Sequence, residues 1–257
     1  EADPAKGGLP KDEAIAACPD ELRPSVFTED GQIIRWQRAA AFQRVSLKLI
    51  AESMLRACSL VSVPPPSLYF KGELSCGSLR FPQPLTLVVS AHNPGAAALA
   101  DELASEFNAL TTTVAAENAT GGVPLRTALT AALERTPRVV FLLYLNNTTY
   151  AGEEGQQLAS QLRELLSAEL RRHFAVLAVH EQDDARGACE FARFFGTTPD
   201  DLIQAGLYAA IAIAFHEAPF RQVSLALAAQ QLGAVKRASA ASRRASRPSS
   251  STSSGLR

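Results

Sequence analysis

A chain of 257 residues, 47% of them hydrophobic, is long enough to bury a substantial core, and its size suits one domain with extensions. Its longest apolar runs, 139–145 and 209–215, fall far short of the roughly 20 residues that cross a bilayer, so the sequence offers no membrane-spanning helix. The formal net charge of −1 balances unlike parts: six of the 25 basic residues lie between Lys236 and Arg257, where there is no acid. The remainder carries 19 basic against 26 acidic residues, a formal −7.

Cys18, Cys58, Cys76 and Cys189 form no CxxC pair and have no histidines at zinc spacing, so reduced thiols in a cytosolic compartment are expected, and no metal. The chain opens on Glu1, has one methionine, Met54, and lacks a secretory signal. These features predict a piece of a longer cytoplasmic protein, with any membrane tether in the portion before Glu1.

In chain order, residues 1–32 are polar, rich in Pro and Gly and without periodicity, and read as a linker or strap. Residues 33–84 form an accessory region. Its helix, Ile33 to Cys58, has no Pro or Gly and carries two apolar stripes, Phe42, Val45 and Leu49 beside Leu47, Ile50 and Met54. Pro64 to Pro66 close its helical part, and Leu68 to Phe70 could add an edge strand before a loop or short hairpin. Between 85 and 233 short apolar runs alternate with helical periods. The strands are Leu85 to Ser90, Leu110 to Val114, Arg138 to Leu145, Phe174 to Glu181 and Ala209 to Phe215. The helices between and after them are Ala96 to Asn108, Leu125 to Glu134, Glu154 to Arg172, two short turns at Gly187 to Phe195 and after Pro199, and Phe220 to Leu232. Five such units predict an α/β fold, a five-stranded parallel, doubly wound, flavodoxin-like sheet. Residues 234–257 lack an apolar stripe and read as a disordered basic tail. Lys236-Arg-Ala-Ser239 and Arg243-Arg-Ala-Ser246 there match what basophilic kinases accept, so Ser239 and Ser246 are either phosphoacceptors or part of an unregulated, solvated tail.

In an open parallel sheet, ligands bind beyond the carboxyl ends of the strands, where helix N-termini direct unpaired amides. The loops there nominate His92, Asn93, Asn146, Tyr150, His180, Asp183 and Asp184 as candidate ligand-binding residues, with His216 beside them. The 180–190 loop is the densest in acid/base groups, yet HExxH and EF-hand patterns are absent, and a solvated acidic loop is the competing account. No GxGxxG, GxxxxGK[ST] or GxSxG occurs, which speaks against dinucleotide binding, P-loop nucleotide binding and serine hydrolysis.

Leu87-Val-Val-Ser-Ala91, Ala98-Leu-Ala-Asp-Glu-Leu103, the Gly121-Gly-Val-Pro124 loop and the 139–162 strand, turn and helix resemble a Toll/interleukin-1 receptor (TIR) domain. The resemblance implies one of two functions, assembly of signalling scaffolds or cleavage of NAD at its nicotinamide glycosidic bond. Enzymatic members use a glutamate early in the helix after the third strand, a carboxylate suited to an oxocarbenium-like centre. Gln157 stands at the matching place, and Tyr150-Ala-Gly-Glu-Glu154 replaces the family's Ser-x-Trp-Cys run, which leaves Glu153 and Glu154 as the only substitutes. The expected function is therefore a non-catalytic interaction or signalling module with protein partners, self-association included, no specific nucleic acid and no cofactor. The alternatives are an NAD-cleaving hydrolase with NAD as substrate, and a sensor of a nucleotide or metal. The stretches 42–52 and 206–227 also resemble the closing region of large algal and protist membrane proteins. That implies a basic tail facing anionic lipid or an acidic protein.

Overall fold

Strands covered on both faces have no solvent side to alternate toward, and two central segments of this chain are buried along their whole length: β2 (Leu85–Ser90) and β4 (Val139–Leu145). In the computed structural model, which describes residues 11–27, 34–57, 68–116, 122–167 and 169–237, they are neighbours in a five-stranded sheet. The other strands are β3 (Leu110–Ala115), β5 (Ala175–Glu181) and β6 (Ile213–Phe215). The order is β3-β2-β4-β5-β6 and every pairing is parallel, which is the flavodoxin-like, doubly wound arrangement.

Right-handed crossovers dictate where the helices lie. The step from β2 out to β3 uses α4 (Ala96–Glu106), and the return steps use α5 (Leu125–Arg135), α6 (Gly152–Leu165), α7 (Ala192–Thr197) and α8 (Asp200–Gln204) on the opposite face. Phe141, Leu143 and Leu145 of β4 pack there with Leu129 of α5, Leu158 and Leu162 of α6, Phe194 of α7 and Leu202 of α8 in one core. The alternate residues of β4 and β5, Leu142, Tyr144, Leu177, Val179 and Glu181, face the other layer by the period-2 rule. That layer is α4 with α9 (Arg221–Gln231), tied together by a Gln222–Glu106 hydrogen bond.

The chain divides into two compact units, Glu1–Leu74 and Ser75–Arg257. The first holds α1 (Lys11–Ala17), α2 (Arg23–Val26) and α3 (Ala40–Ala57), so two short helices occupy the stretch read as a linker. Acidic Asp12 and Glu13 in the first turn of α1, and Pro24 at the start of α2, are the local signals that favour them. The accessory helix starts at Ala40; residues 34–38 form no regular element, and the Ser46 hydroxyl donates to Arg35 O and accepts from Gln37 N–H. Phe42 and Val45 are buried, while Leu47, Ile50 and Met54 of the second stripe are exposed. Leu68–Phe70 joins no ladder, and the residues just after it are held by side chains instead, through Arg44 to Gly72 O and Lys48 to Glu73.

Three boundaries in the second unit differ from the sequence reading. The long helix expected to reach Arg172 stops at Leu165, and a 3-10 turn at Leu170–Arg172 buries Leu170 and reverses the chain into β5. The last core strand is only Ile213–Phe215, because its single partner, β5, offers Val179–Glu181 alone. The segment read as the start of a disordered tail contains a strand, β7 (Val235–Lys236), which pairs antiparallel with β1 (Leu79–Arg80). Arg237 secures it, with N–H donating to Ser78 O and Nε to Leu79 O, both at 2.9 Å. Gly121, Ser239 and Ser246 lie outside the described residues. Truncating a fully buried strand side chain leaves a cavity against the α5–α8 layer, so Phe141→Ala should destabilise the protein by about 3–5 kcal/mol in urea unfolding. A loss below about 1 kcal/mol would show that this core is not the one described.

Candidate functional site

The strand order reverses between β2 and β4, and the crevice beyond their carboxyl ends is where this architecture places ligands. Here the chain fills it. β4 runs on past its paired stretch with β2, which ends at Val88 opposite Phe141, leaving the Tyr144 peptide without a strand partner on that side. Asn93 supplies one: its Nδ2 donates to Tyr144 O at 2.7 Å and its Oδ1 accepts from Tyr144 N–H at 2.8 Å. Asn146 Nδ2 donates to Pro94 O, and its Oδ1 accepts from the Thr148 and Thr149 amides. Gly95, at φ +87°, lies so close to the Tyr144 ring that a Cβ there would sit 2.5 Å from ring carbon Cε1. The left-handed conformation and the ring contact both require glycine.

Under this seam lies a chain of charges. Glu181, the last residue of β5, is fully buried and accepts from Tyr144 Oη at 2.7 Å, from Arg221 Nη1 at 2.8 Å, and from the Gln182 and Asp183 amides. Arg221 lies over the Phe215 ring at 4.9 Å and reaches on to Glu102 of α4, Nη2 to Oε2 at 2.8 Å. Glu102 accepts a further bond from Arg186 at 3.1 Å, and Arg186 pairs with Asp183 at 3.6 Å. Burial pushes the Glu102 carboxyl up, but the hydrogen bonds and charges of Arg221 and Arg186 outweigh it and hold the group below its ordinary value. Burial likewise works against the Arg221 cation, and its two carboxylate partners more than compensate, raising it further. The Tyr144 hydroxyl is pushed up by burial first and by the Glu181 carboxylate second.

His180 precedes Glu181 and so faces the opposite layer, edge-on to Phe191 and Phe194. A carbonyl only accepts, so Nε2 carries the proton it gives to Cys189 O at 2.8 Å, and Nδ1 accepts from Gln182 Nε2 at 2.9 Å. Both ring nitrogens are used, and burial lowers the imidazole below its ordinary 6.5. Asp183 caps the turn that follows, accepting from the Ala185 amide, and Asp184 is exposed. His92 is half-buried, its amide donating to Ser90 Oγ and its Nε2 without a partner. Tyr150 takes a left-handed backbone, φ 66°, and its ring packs on the core. Its hydroxyl lies beside the Thr198–Tyr208 hydroxyl pair without a well-formed bond to either, and burial raises it strongly. Glu153 and Glu154 are exposed in the first turn of α6, and Gln157 is exposed in the turn after it.

The nominated residues therefore fall into four sets. Asn93 and Asn146 stitch the loops, His180 and Asp183 brace their own turn, Tyr150 packs on the core, and His92, Asp184, Glu153 and Glu154 stand apart. The residues that organise the rim, Tyr144, Glu181, Arg221, Glu102 and Arg186, were not singled out from the sequence. Two signals were present: a glutamate ending an apolar strand, and an arginine in the first turn of α9, where the helix dipole disfavours a cation. Among the described residues no cluster of three or more His, Cys, Asp or Glu could hold a metal, and Cys18, Cys76 and Cys189 are free thiols. No helix among them is long and apolar enough to cross a membrane. Comparison of the chain with protein-family models, curated proteins and solved structures finds no match to any of them.

Arg221→Ala leaves the Glu181 carboxylate buried without its cation and should cost about 3–5 kcal/mol of stability in denaturant unfolding. Arg126→Ala, which removes an exposed partner of Glu164 and Glu169, should cost far less. The pH dependence has a definite sign. His180 binds its proton less readily folded than unfolded, so the unfolded chain takes up the extra proton first. Stability contributed by the neutral ring is present above pH 6.5 and declines as pH falls below it. His180→Gln should remove that part of the slope, read from urea midpoints between pH 7.5 and 5.5; an unchanged slope would contradict the assignment.

Proposed function

We infer that the 75–237 unit is a non-catalytic interaction module that docks protein partners, a second copy of the chain among them, as the resemblance to TIR domains implies. The observation that carries this reading is the contrast between the sheet's filled rim and its bare edge. At the rim, Tyr144, Glu181, Arg221 and Glu102 are spent on one another and Asn93 on the Tyr144 peptide, while Glu153 and Glu154 are exposed on α6. Neither edge strand is itself charged, but the two differ in what they present. β3 presents Thr111, Thr112 and Thr113 beside an exposed Val114, with Thr112 bonded to Asp101 of α4. The β6 side runs from Gln204 to Phe215 without a single charge, and it exposes Ile211 at 91% and Phe195 at 58% beside Tyr208. Sheet edges that stay unpaired are normally guarded by charge or proline; an uncharged apolar edge suits strand addition by a partner.

Two measurements test this reading. Purified protein incubated with NAD should release no nicotinamide above a heat-killed control; release that disappears in Glu154→Ala would establish the hydrolase instead. In sedimentation velocity the chain should associate with rising concentration, and Ile211→Asp should weaken that association at least about tenfold, the scale of a removed apolar anchor. A monomer at every concentration, with no change in Ile211→Asp, would count against self-association through this edge.

A further inference from the structure

The direction of the sheet sorts the charges of the 75–237 unit. All five strands begin at one end, and the register keeps four of those starts nearly level: Leu110 lies opposite Leu85, Val139 opposite Thr86, and Ala175 opposite Val140. The segments feeding these starts carry Arg80, Arg135, Arg138, Arg171 and Arg172, and Arg237 shares a shallow cleft with Arg80 and with Asn108 and Ala109, which lead into β3. All six arginines are exposed. The acids at this end are Glu106, which accepts from Gln222, Glu134, and Glu169, which is paired with Arg126. The opposite end, beyond the strands, carries Glu153, Glu154, Asp183, Asp184, Glu190 and Glu217, and there Arg186 and Arg221 are tied to carboxylates.

The fold uses three of the six arginines itself. Arg138 Nη1 donates to Leu232 O at the end of α9 and Arg171 Nη1 to Ala205 O at the end of α8, both at 2.8 Å, where a helix dipole favours a cation. Arg237 Nε donates to Leu79 O. The side chains of Arg80, Arg135 and Arg172 make no hydrogen bond or ion pair among the described residues, and none of the six is paired with a carboxylate there. Arg126, Arg163, Arg186 and Arg221 each are. Six cations so placed repel one another and draw anions from solution. The strands that separate the two ends are about 20 Å long, more than twice the screening length of about 8 Å at physiological salt, so the acidic end does not neutralise the basic one.

An anionic partner fits this end, and its shape selects which. Proteins that hold nucleic-acid strands combine a groove with rings on which bases stack. Here the strand starts are level over roughly 15 Å, the width of four strands. Phe107 and Phe174 are buried, and Phe81 lies edge-on against Phe107. The exposed apolar side chains are aliphatic, Leu133 near the end of α5 and Val235 of β7, with Pro82, Pro84 and Pro137 exposed in the same segments as the arginines. Arginines mixed with aliphatic groups on a level face match the headgroup plane of an anionic bilayer, where each cation adds attraction and apolar side chains enter the headgroup boundary. We propose that the amino-terminal end of the sheet docks on a membrane surface rich in anionic phospholipid, with the acidic end turned toward solvent. None of these residues belongs to the β6 edge, so the proposal stands apart from the docking of protein partners there.

The test is flotation of the full chain with phosphatidylcholine vesicles, with and without phosphatidylserine, at rising salt. Binding should require phosphatidylserine and weaken as salt rises. Arg80→Gln, Arg135→Gln and Arg172→Gln combined should weaken it about a hundredfold, from roughly fivefold per cation removed. These side chains make no bond to break, and circular dichroism checks the fold. The same three positions changed to Lys should bind within about threefold of the unmodified chain, because the charge is kept. Arg193→Gln, which removes an exposed arginine from α7, beyond the carboxyl end of β5, should change binding by less than about twofold. Residues 238–257 are the same in every variant, so their arginines contribute equally throughout. Absence of phosphatidylserine-dependent binding, binding unchanged by the triple Gln variant, or an equal loss with Arg193→Gln would each overturn the proposal. So would a DNA duplex that binds with the same charge dependence where vesicles do not, which would assign the face to nucleic acid.

Discussion

The side-chain amide of Asn93 does the work of a missing strand. Where β2 ends and β4 continues, the Tyr144 peptide has two hydrogen-bonding groups facing a gap, and buried main-chain groups without partners are costly. Asn93 meets both, at 2.7 and 2.8 Å, and so converts the open crevice of a doubly wound sheet into a closed seam. Everything nearby follows from that closure. Pro94 O is fixed for Asn146, Gly95 is pressed onto the Tyr144 ring, and that ring directs its hydroxyl at Glu181.

Glu181 and Arg221 extend the same constraint across the molecule. A carboxylate with no solvent exposure persists only if nearly every lone pair is used, and here a tyrosine, an arginine and two main-chain amides use them. Arg221 of α9 in turn bridges Glu181 of β5 and Glu102 of α4, the second of which lies 119 residues from it in sequence. Such a network contributes specificity of arrangement more than net stability, because desolvation offsets much of the attraction. It also engages Tyr144, Glu181, Arg221 and Glu102 with one another, and the proposal of docking at the edge strand starts from that engagement.

The fold was legible because its strands are buried on both faces. Leu85–Ser90, Val139–Leu145 and Ala175–Glu181 carry enough consecutive apolar residues to be read without a partner in view. β6 was overextended for the same reason: Ala209 to Ala212 are as apolar as the strand, but pairing, not composition, sets strand length, and β5 has only three residues to offer there. The β1–β7 pair was invisible, since two residues on each side give no period and their contact joins positions 155 and 157 apart. At the rim, the sequence located the loops but not their chemistry. His180, Asp183 and Asn146 read as ligands because loop position says nothing of whether a neighbour has already claimed a side chain. Glu181 and Arg221 could have been suspected, each standing where its own element disfavours it.

Native-state hydrogen exchange at the Tyr144 amide tests the closure directly, because that proton is bonded to the Asn93 side chain rather than to a strand. The account predicts that it exchanges only through global unfolding, as slowly as the Leu142 amide in the centre of the sheet, and that Asn93→Ala speeds it selectively. Exchange of the Tyr144 amide at a loop-like rate in the unmodified protein would mean that the crevice is open, and the rim would again be a place for a ligand.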